Sequence, residues 1–167
     1  LDNVIGANYY PTDETKNSNS KHRPVGLGVQ GLADTYALLG MPFDSESASN
    51  INKMIFEQMY YSAIKRSMEL AGEKGAYSTF AGSPASKGIL QFDMYNDRTN
   101  HSKLNLQWDE LKRKVVLNGL RNSLLIALMP TASTSQILGN NECFEPFTSN
   151  MYTRRTLAGE YIVVNKH

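Results

Sequence analysis

Apolar positions recur along this chain with a helical period in some stretches and as short continuous runs in others, and the gaps between them mark connections. Residues 12–23 are polar and carry no apolar period, which predicts an exposed loop. From Val25 to Leu39 apolar and small residues dominate. Leu27, Gly31, Leu32, Tyr36 and Leu39 share one helical stripe, and Gly40 with Pro42 supplies a stop. The clearest helix begins at Asp44 or Ser45, either of which can accept from first-turn amides. Ile51, Ile55, Met59 and Ala63 form one row of it, with Phe56, Tyr60, Ile64 and Met68 alongside, and Gly72 and Gly75 end it. The methionines and aromatics of this face read as core.

Residues 75–104 are rich in Gly, Ser, Asn and Asp and predict a long connection with a helical turn near Ser86 to Gln91, a loop suited to lying over a larger body. A helix follows from Gln107 to Leu117, ending before Gly119. The run Asn122 to Met129, stopped by Pro130, predicts a strand buried on both faces, as in a parallel sheet. Small polar residues from Thr131 to Gln136 then lead into a helix start, which makes half of a βα unit with its ligand side at the strand's carboxyl end. Glu160 to Asn165 predicts another strand. There is no internal repeat and no low-complexity segment.

Composition narrows the function. Across 167 residues, 41% are hydrophobic and 20% charged, the profile of an ordinary globular chain rather than a disordered one. A formal net charge of +1, with basic residues dispersed among acids, points to neither nucleic acid nor an anionic membrane as partner. The single cysteine, Cys143, forbids an internal disulfide and fits a reducing, cytoplasmic setting. No apolar run is long enough to cross a bilayer. Asn100-His101-Ser102 matches a glycosylation acceptor and reads as a surface turn. Leu1 in place of an initiator methionine, and a stop at His167 just after a strand-like run, suggest that both ends were cut from something longer.

Most motif candidates fail on context. Gly26-Leu-Gly28-Val-Gln-Gly31 has dinucleotide-turn spacing, but Lys21 to Pro24 is no buried strand and Asp44 is too near for a ribose acid, so the glycines read as sites of close packing. Gly82 to Gly88 has its lysine and second glycine in the wrong order for a phosphate loop. His22, His101 and His167 show no metal-ligand spacing with each other or with Cys143, which reads as a structural thiol. Pro130-Thr-Ala-Ser-Thr-Ser-Gln136 differs in kind. Four of its seven residues bear hydroxyls, and it follows a buried run and opens a helix, where amides and dipole favour an anion. Helix capping is the commoner use of such residues.

The runs Met129 to Glu142, Glu145 to Asn150, His22 to Asp34, Ser83 to Gln91 and Arg121 to Ala127 together resemble the large subunits of eukaryotic-type class I ribonucleotide reductases, in order and over essentially the whole chain. The resemblance implies an α/β fold, part of a ten-stranded α/β barrel, with residues 1–167 as a truncated, mostly helical portion of the barrel domain. It implies that Thr131, Ala132, Ser133 and Thr134 bind the substrate diphosphate through amides and hydroxyls, and that no catalytic residue, metal ligand or cofactor site lies in this segment.

For the whole protein the resemblance implies reduction of ribonucleoside diphosphates to deoxyribonucleotides. Its partners would be a second large subunit, a di-iron, radical-generating small subunit, and thioredoxin or glutaredoxin, with ATP and deoxynucleotide effectors. The family's radical cysteine, its reducing pair and their assisting Asn and Glu fall before this chain, and the relay tyrosines and cysteine tail after it. Cys143 matches none of these, so the chain by itself is expected to be inactive. A rival expectation is a non-catalytic helical module whose long helix at 44–71 docks a partner.

Overall fold

Asp2–Ala7 (α1) and Asp13–His22 (α2) open a computed structural model that describes residues 1–95 and 104–167. Helices Leu32–Leu38 (α3), Glu46–Lys74 (α4), Trp108–Asn118 (α5) and Ala132–Leu138 (α6) follow, and strands Met151–Thr156 (β1) and Gly159–Val164 (β2) end the order. Contacts divide the chain into two units, one from residues 1–27 with 52–127, the other from 28–51 with 128–167. The Asn100-His101-Ser102 tripeptide lies outside the described residues.

The first unit is built around α4. Ala63, Ile64 and Met68 of that helix are buried with Tyr77, Leu90, Leu111, Val115, Leu120 and Leu125. Trp108, at the start of α5, meets Phe92 and Tyr61 edge to face with ring centroids 4.8 and 5.0 Å apart, the arrangement that aromatic quadrupoles favour. The helix starts where Ser45 Oγ accepts from the Ala48 amide at 3.1 Å. It runs through Gly72 and stops before Gly75, which sits at φ +84, because a single helical glycine costs only about 1 kcal/mol.

A buried polar cluster ties distant parts of this unit. Arg23 Nη2 lies 2.7 Å from Asp2 Oδ1 and also donates to the Asp2 carbonyl. Asn122 Nδ2 donates to Asp2 at 3.2 Å and to the Arg23 carbonyl at 3.0 Å, while Ser67 donates to Asn122 Oδ1. Burial raises the Asp2 carboxyl, but Arg23, Arg121 and Asn122 more than reverse this and hold it below the ordinary carboxylate range.

Three expectations are corrected here. Residues 13–22 are helical, not a loop: Thr12 and Thr15 form a reciprocal capping box, Asp13 and Glu14 lie at the positive end and Lys21 and His22 at the negative end. An exposed helix held by caps and charges leaves no apolar period to read. The helix expected across Val25–Leu39 begins only at Leu32, after Gly31 at φ +76, since Val25 and Leu27 are extended and donate to the carbonyls of Leu124 and Leu125. The run 122–129 forms a single parallel bridge, Leu27 with Ile126, rather than a strand buried on both faces, and Leu124 is 65% exposed. A side chain at Gly26 would place Cβ 2.9 Å from that of Ala127, so close packing of two extended segments accounts for this glycine.

In the second unit Leu32, Ala33, Tyr36, Ala48 and Cys143 are buried. Tyr36 donates its hydroxyl to the Ala48 carbonyl at 3.1 Å, and burial raises its pKa. Strands β1 and β2 form an antiparallel hairpin, Met151 opposite Val164 through Thr156 opposite Gly159, turned by Leu157 and Ala158. Only β2 was legible in the sequence, since it carries the run Tyr161-Ile-Val-Val164 whereas β1 is polar from Thr153 to Thr156; both are exposed almost throughout. Among the described residues this is the one sheet, and no barrel closes.

Candidate functional site

The segment from Thr131 to Thr134 lies in the second unit, where it opens α6. Thr131 caps the helix in the left-handed region at φ +55, and its side chain makes no capping bond to the helix. That side chain turns the other way: Thr131 Oγ1 accepts from the Cys143 amide at 2.8 Å. The hydroxyl therefore closes a loop of twelve residues and holds an unusual backbone conformation in place.

The first bond of the helix backbone runs from the Ser135 amide to the Thr131 carbonyl, 2.9 Å. The amides of Ala132, Ser133 and Thr134 precede it and have no acceptor within the helix, as at every helix start. All three residues are exposed, whereas Ser135 is fully buried. Small side chains at 132 and 133 leave the backbone approachable. Thr134 Oγ1 donates to Gln30 Oε1 at 3.0 Å, with the Thr131 carbonyl as an alternative at 3.3 Å.

Behind this turn a second set of bonds fixes the return segment 139–143. The Gly31 amide donates to the Asn141 carbonyl at 3.0 Å, and the Asn141 amide donates to Asp34 Oδ2 at 2.6 Å. Asp34 is buried and also faces His167 Nε2 at 2.8 Å and Lys166 at 3.9 Å. Burial raises its carboxyl, but the Asn141 amide, His167 and Lys166 together bring it below the ordinary range. Arg154 of β1 pairs with Glu142 at 2.6 Å, which raises the guanidinium's pKa, and reaches the Ala132 carbonyl at 3.4 Å. Chemically, the arrangement offers neutral donors on an exposed, small-residue turn held from behind by charged pairs, which suits binding of an anion rather than proton transfer.

The family model of the ribonucleotide reductase barrel domain matches residues 1–167. The chain belongs to the ribonucleotide reductase family. It is 60% identical over 167 residues to the ribonucleoside-diphosphate reductase large subunit of Plasmodium falciparum, and 60% over 171 residues to that of Arabidopsis thaliana. It is equally 60% identical to large chain 2 of Saccharomyces cerevisiae. Each alignment covers all of this chain but only 19–20% of the relative, so the reductase segment spans about a fifth of the length of the proteins it matches.

All four residues expected from the sequence stand together in this reductase segment, but unequally. The hydroxyl of Thr131 is engaged internally, so it is the backbone of 132–134 that faces outward. Cys143 is buried at 2% exposure, in keeping with a structural thiol. Sequence reasoning missed Gln30 and Asp34, which reach the turn and its return segment from across the chain. The only hint was a polar residue inside a run of glycines. Among the described residues no three His, Cys, Asp or Glu side chains are grouped to hold a metal. No helix there is long and apolar enough to cross a membrane.

Proposed function

We propose that this segment belongs to the large subunit of a ribonucleoside-diphosphate reductase and that residues 131–134 hold the diphosphate of the substrate. The observation that carries the reading is the exposed start of α6, where the Ala132, Ser133 and Thr134 amides lie ahead of the first helical bond and Thr131 is fixed by Cys143. Oriented backbone amides at a helix start stabilise the negative charge of a diphosphate. The four residues act as a binding cup. The thiyl radical, the reducing thiols and the effector sites belong to other parts of the subunit, and the radical comes from a di-iron small subunit. Thioredoxin or glutaredoxin restores the thiols in the cytoplasm, with ATP and deoxynucleotides as effectors. The substrate is thus a ribonucleoside diphosphate, reduced at the sugar while this turn grips the far end.

The test is Ser133→Pro in a full-length large subunit carrying this segment, with Ser133→Gly as control. Proline removes one amide from the cup, whereas glycine keeps it. Cytidine diphosphate should bind at least about tenfold more weakly to the proline variant, the loss of one bond to a charged group. Effector affinity should stay unchanged in both. Equal substrate affinity in a folded proline variant would leave α6 as an ordinary capped helix.

A further inference from the structure

The hydroxyl of Thr134 has one proton, and in this structure two carbonyl oxygens compete for it. Gln30 Oε1 lies at 3.0 Å and the Thr131 carbonyl at 3.3 Å. A substrate diphosphate is mostly ionised near neutral pH and acts chiefly as an acceptor. So long as the Gln30 oxygen takes the proton, Thr134 has nothing to offer a phosphate. The Gln30 side chain, however, carries an oxygen at one end and an NH2 at the other, two ends of nearly the same shape.

Resting on the diphosphate reading above, we propose that Gln30 is a positioning residue for the substrate: its amide turns over on binding, donates to Thr134 Oγ1, and so directs the threonine proton to a phosphate oxygen. A half-turn about the last side-chain bond exchanges acceptor for donor without moving the backbone. With Nε2 facing it, Thr134 Oγ1 accepts from Gln30 and donates outward, and the two bonds polarise each other. Gln30 is partly buried on the segment that leads into α3, where the Gly31 amide is tied to the Asn141 carbonyl at 3.0 Å. Its backbone is therefore fixed relative to the turn it serves, and only the side-chain amide needs to move.

A full-length large subunit carrying this segment, assayed with its small subunit on cytidine diphosphate, separates the alternatives. Gln30→Glu keeps an acceptor but at neutral pH cannot donate, and it adds a negative charge beside the phosphate. Its KM should rise more than that of Gln30→Met, which removes both ends of the amide. Thr134→Val should raise KM about tenfold or more, as for loss of one charge-assisted bond. In all three the loss should appear in kcat/KM through KM, with effector affinity within about twofold of the parent, because the bond is to a part of the substrate that does not react.

The deciding measurement is the double variant. If Gln30 acts through Thr134, Gln30→Met adds nothing to Thr134→Val. Full additivity, or a Gln30→Glu variant with parental KM beside an impaired Thr134→Val, overturns the role of Gln30 and leaves the diphosphate site intact. Parental KM in both Thr134→Val and Ser133→Pro overturns the site itself. Should Gln30→Glu fail to fold, the cycle of Gln30→Met with Thr134→Val is sufficient to decide the matter.

Discussion

The Cys143 amide and the Thr131 side chain are twelve residues apart in sequence and meet in a 2.8 Å hydrogen bond that holds both residues at positive φ, +45 and +55. Thr131→Val removes the acceptor and leaves a buried amide unpaired, a loss of about 1 to 3 kcal/mol. Thr131→Ser keeps the hydroxyl and should stay within about 0.5 kcal/mol of the parent. Urea denaturation of the two variants side by side checks this. Equal stability would mean that the bond is dispensable.

Acid should weaken the first unit through Asp2. Its carboxyl titrates below the unfolded value, so the unfolded chain binds the proton more readily and stability rises with pH in that range. The contribution is complete above the unfolded pKa of about 3.9 and is lost as pH falls through the lower folded value. Asp2→Ala, which leaves Arg23 and Arg121 without their buried partner, should cost about 3 kcal/mol near pH 7 and flatten the acid limb. An unchanged slope of denaturation midpoint against pH would refute the assignment.

How much of this was legible in the sequence depends on what holds each element. α4 announced itself by a row such as Tyr60, Ile64 and Met68, because the buried core imposes a helical period. α2 gave no such signal, since Thr12, Thr15 and terminal charges stabilise it instead. The run 122–129 was apolar enough to read as a doubly buried strand, yet it forms one parallel bridge, Leu27 with Ile126, and burial by a neighbour cannot be read from the run itself. The turn that opens α6 at 131–134 was visible as hydroxyl-rich spacing before a helix. Gln30 was not, because its bond joins residues 104 positions apart and sequence spacing carries no record of that.

Cys143 should resist modification. Its thiol is 2% exposed, and an aromatic disulfide reagent needs a reachable thiolate. Reaction in native buffer should be slow and should accelerate sharply with denaturant, following unfolding. Rapid stoichiometric labelling of the native chain would contradict the buried placement.

The isolated chain should self-associate. Leu124, Ile137, Leu138 and Ile162 are 65, 82, 67 and 72% exposed, and among the described residues β1 and β2 each pair on one side only. Apolar surface beside open strand edges favours chain-to-chain pairing. Size-exclusion chromatography across a hundredfold concentration range should show a shift to larger species. A sharp monomer peak throughout would count against it.

The two units have interleaved membership: 28–51 groups with 128–167, while 52–127 groups with 1–27. A nascent chain emerges in one direction, so the segment bearing Gln30 and Asp34 is released long before the Thr131 turn that it holds. At roughly 5 to 20 residues per second, that interval is on the order of several seconds, far longer than a helix needs to form. The segment 52–127 can settle against 1–27 within that interval. The Thr131 turn is then a late product of synthesis, and a pause just before residue 128 would leave Gln30 and Asp34 without Thr134 and Asn141, the residues they bond.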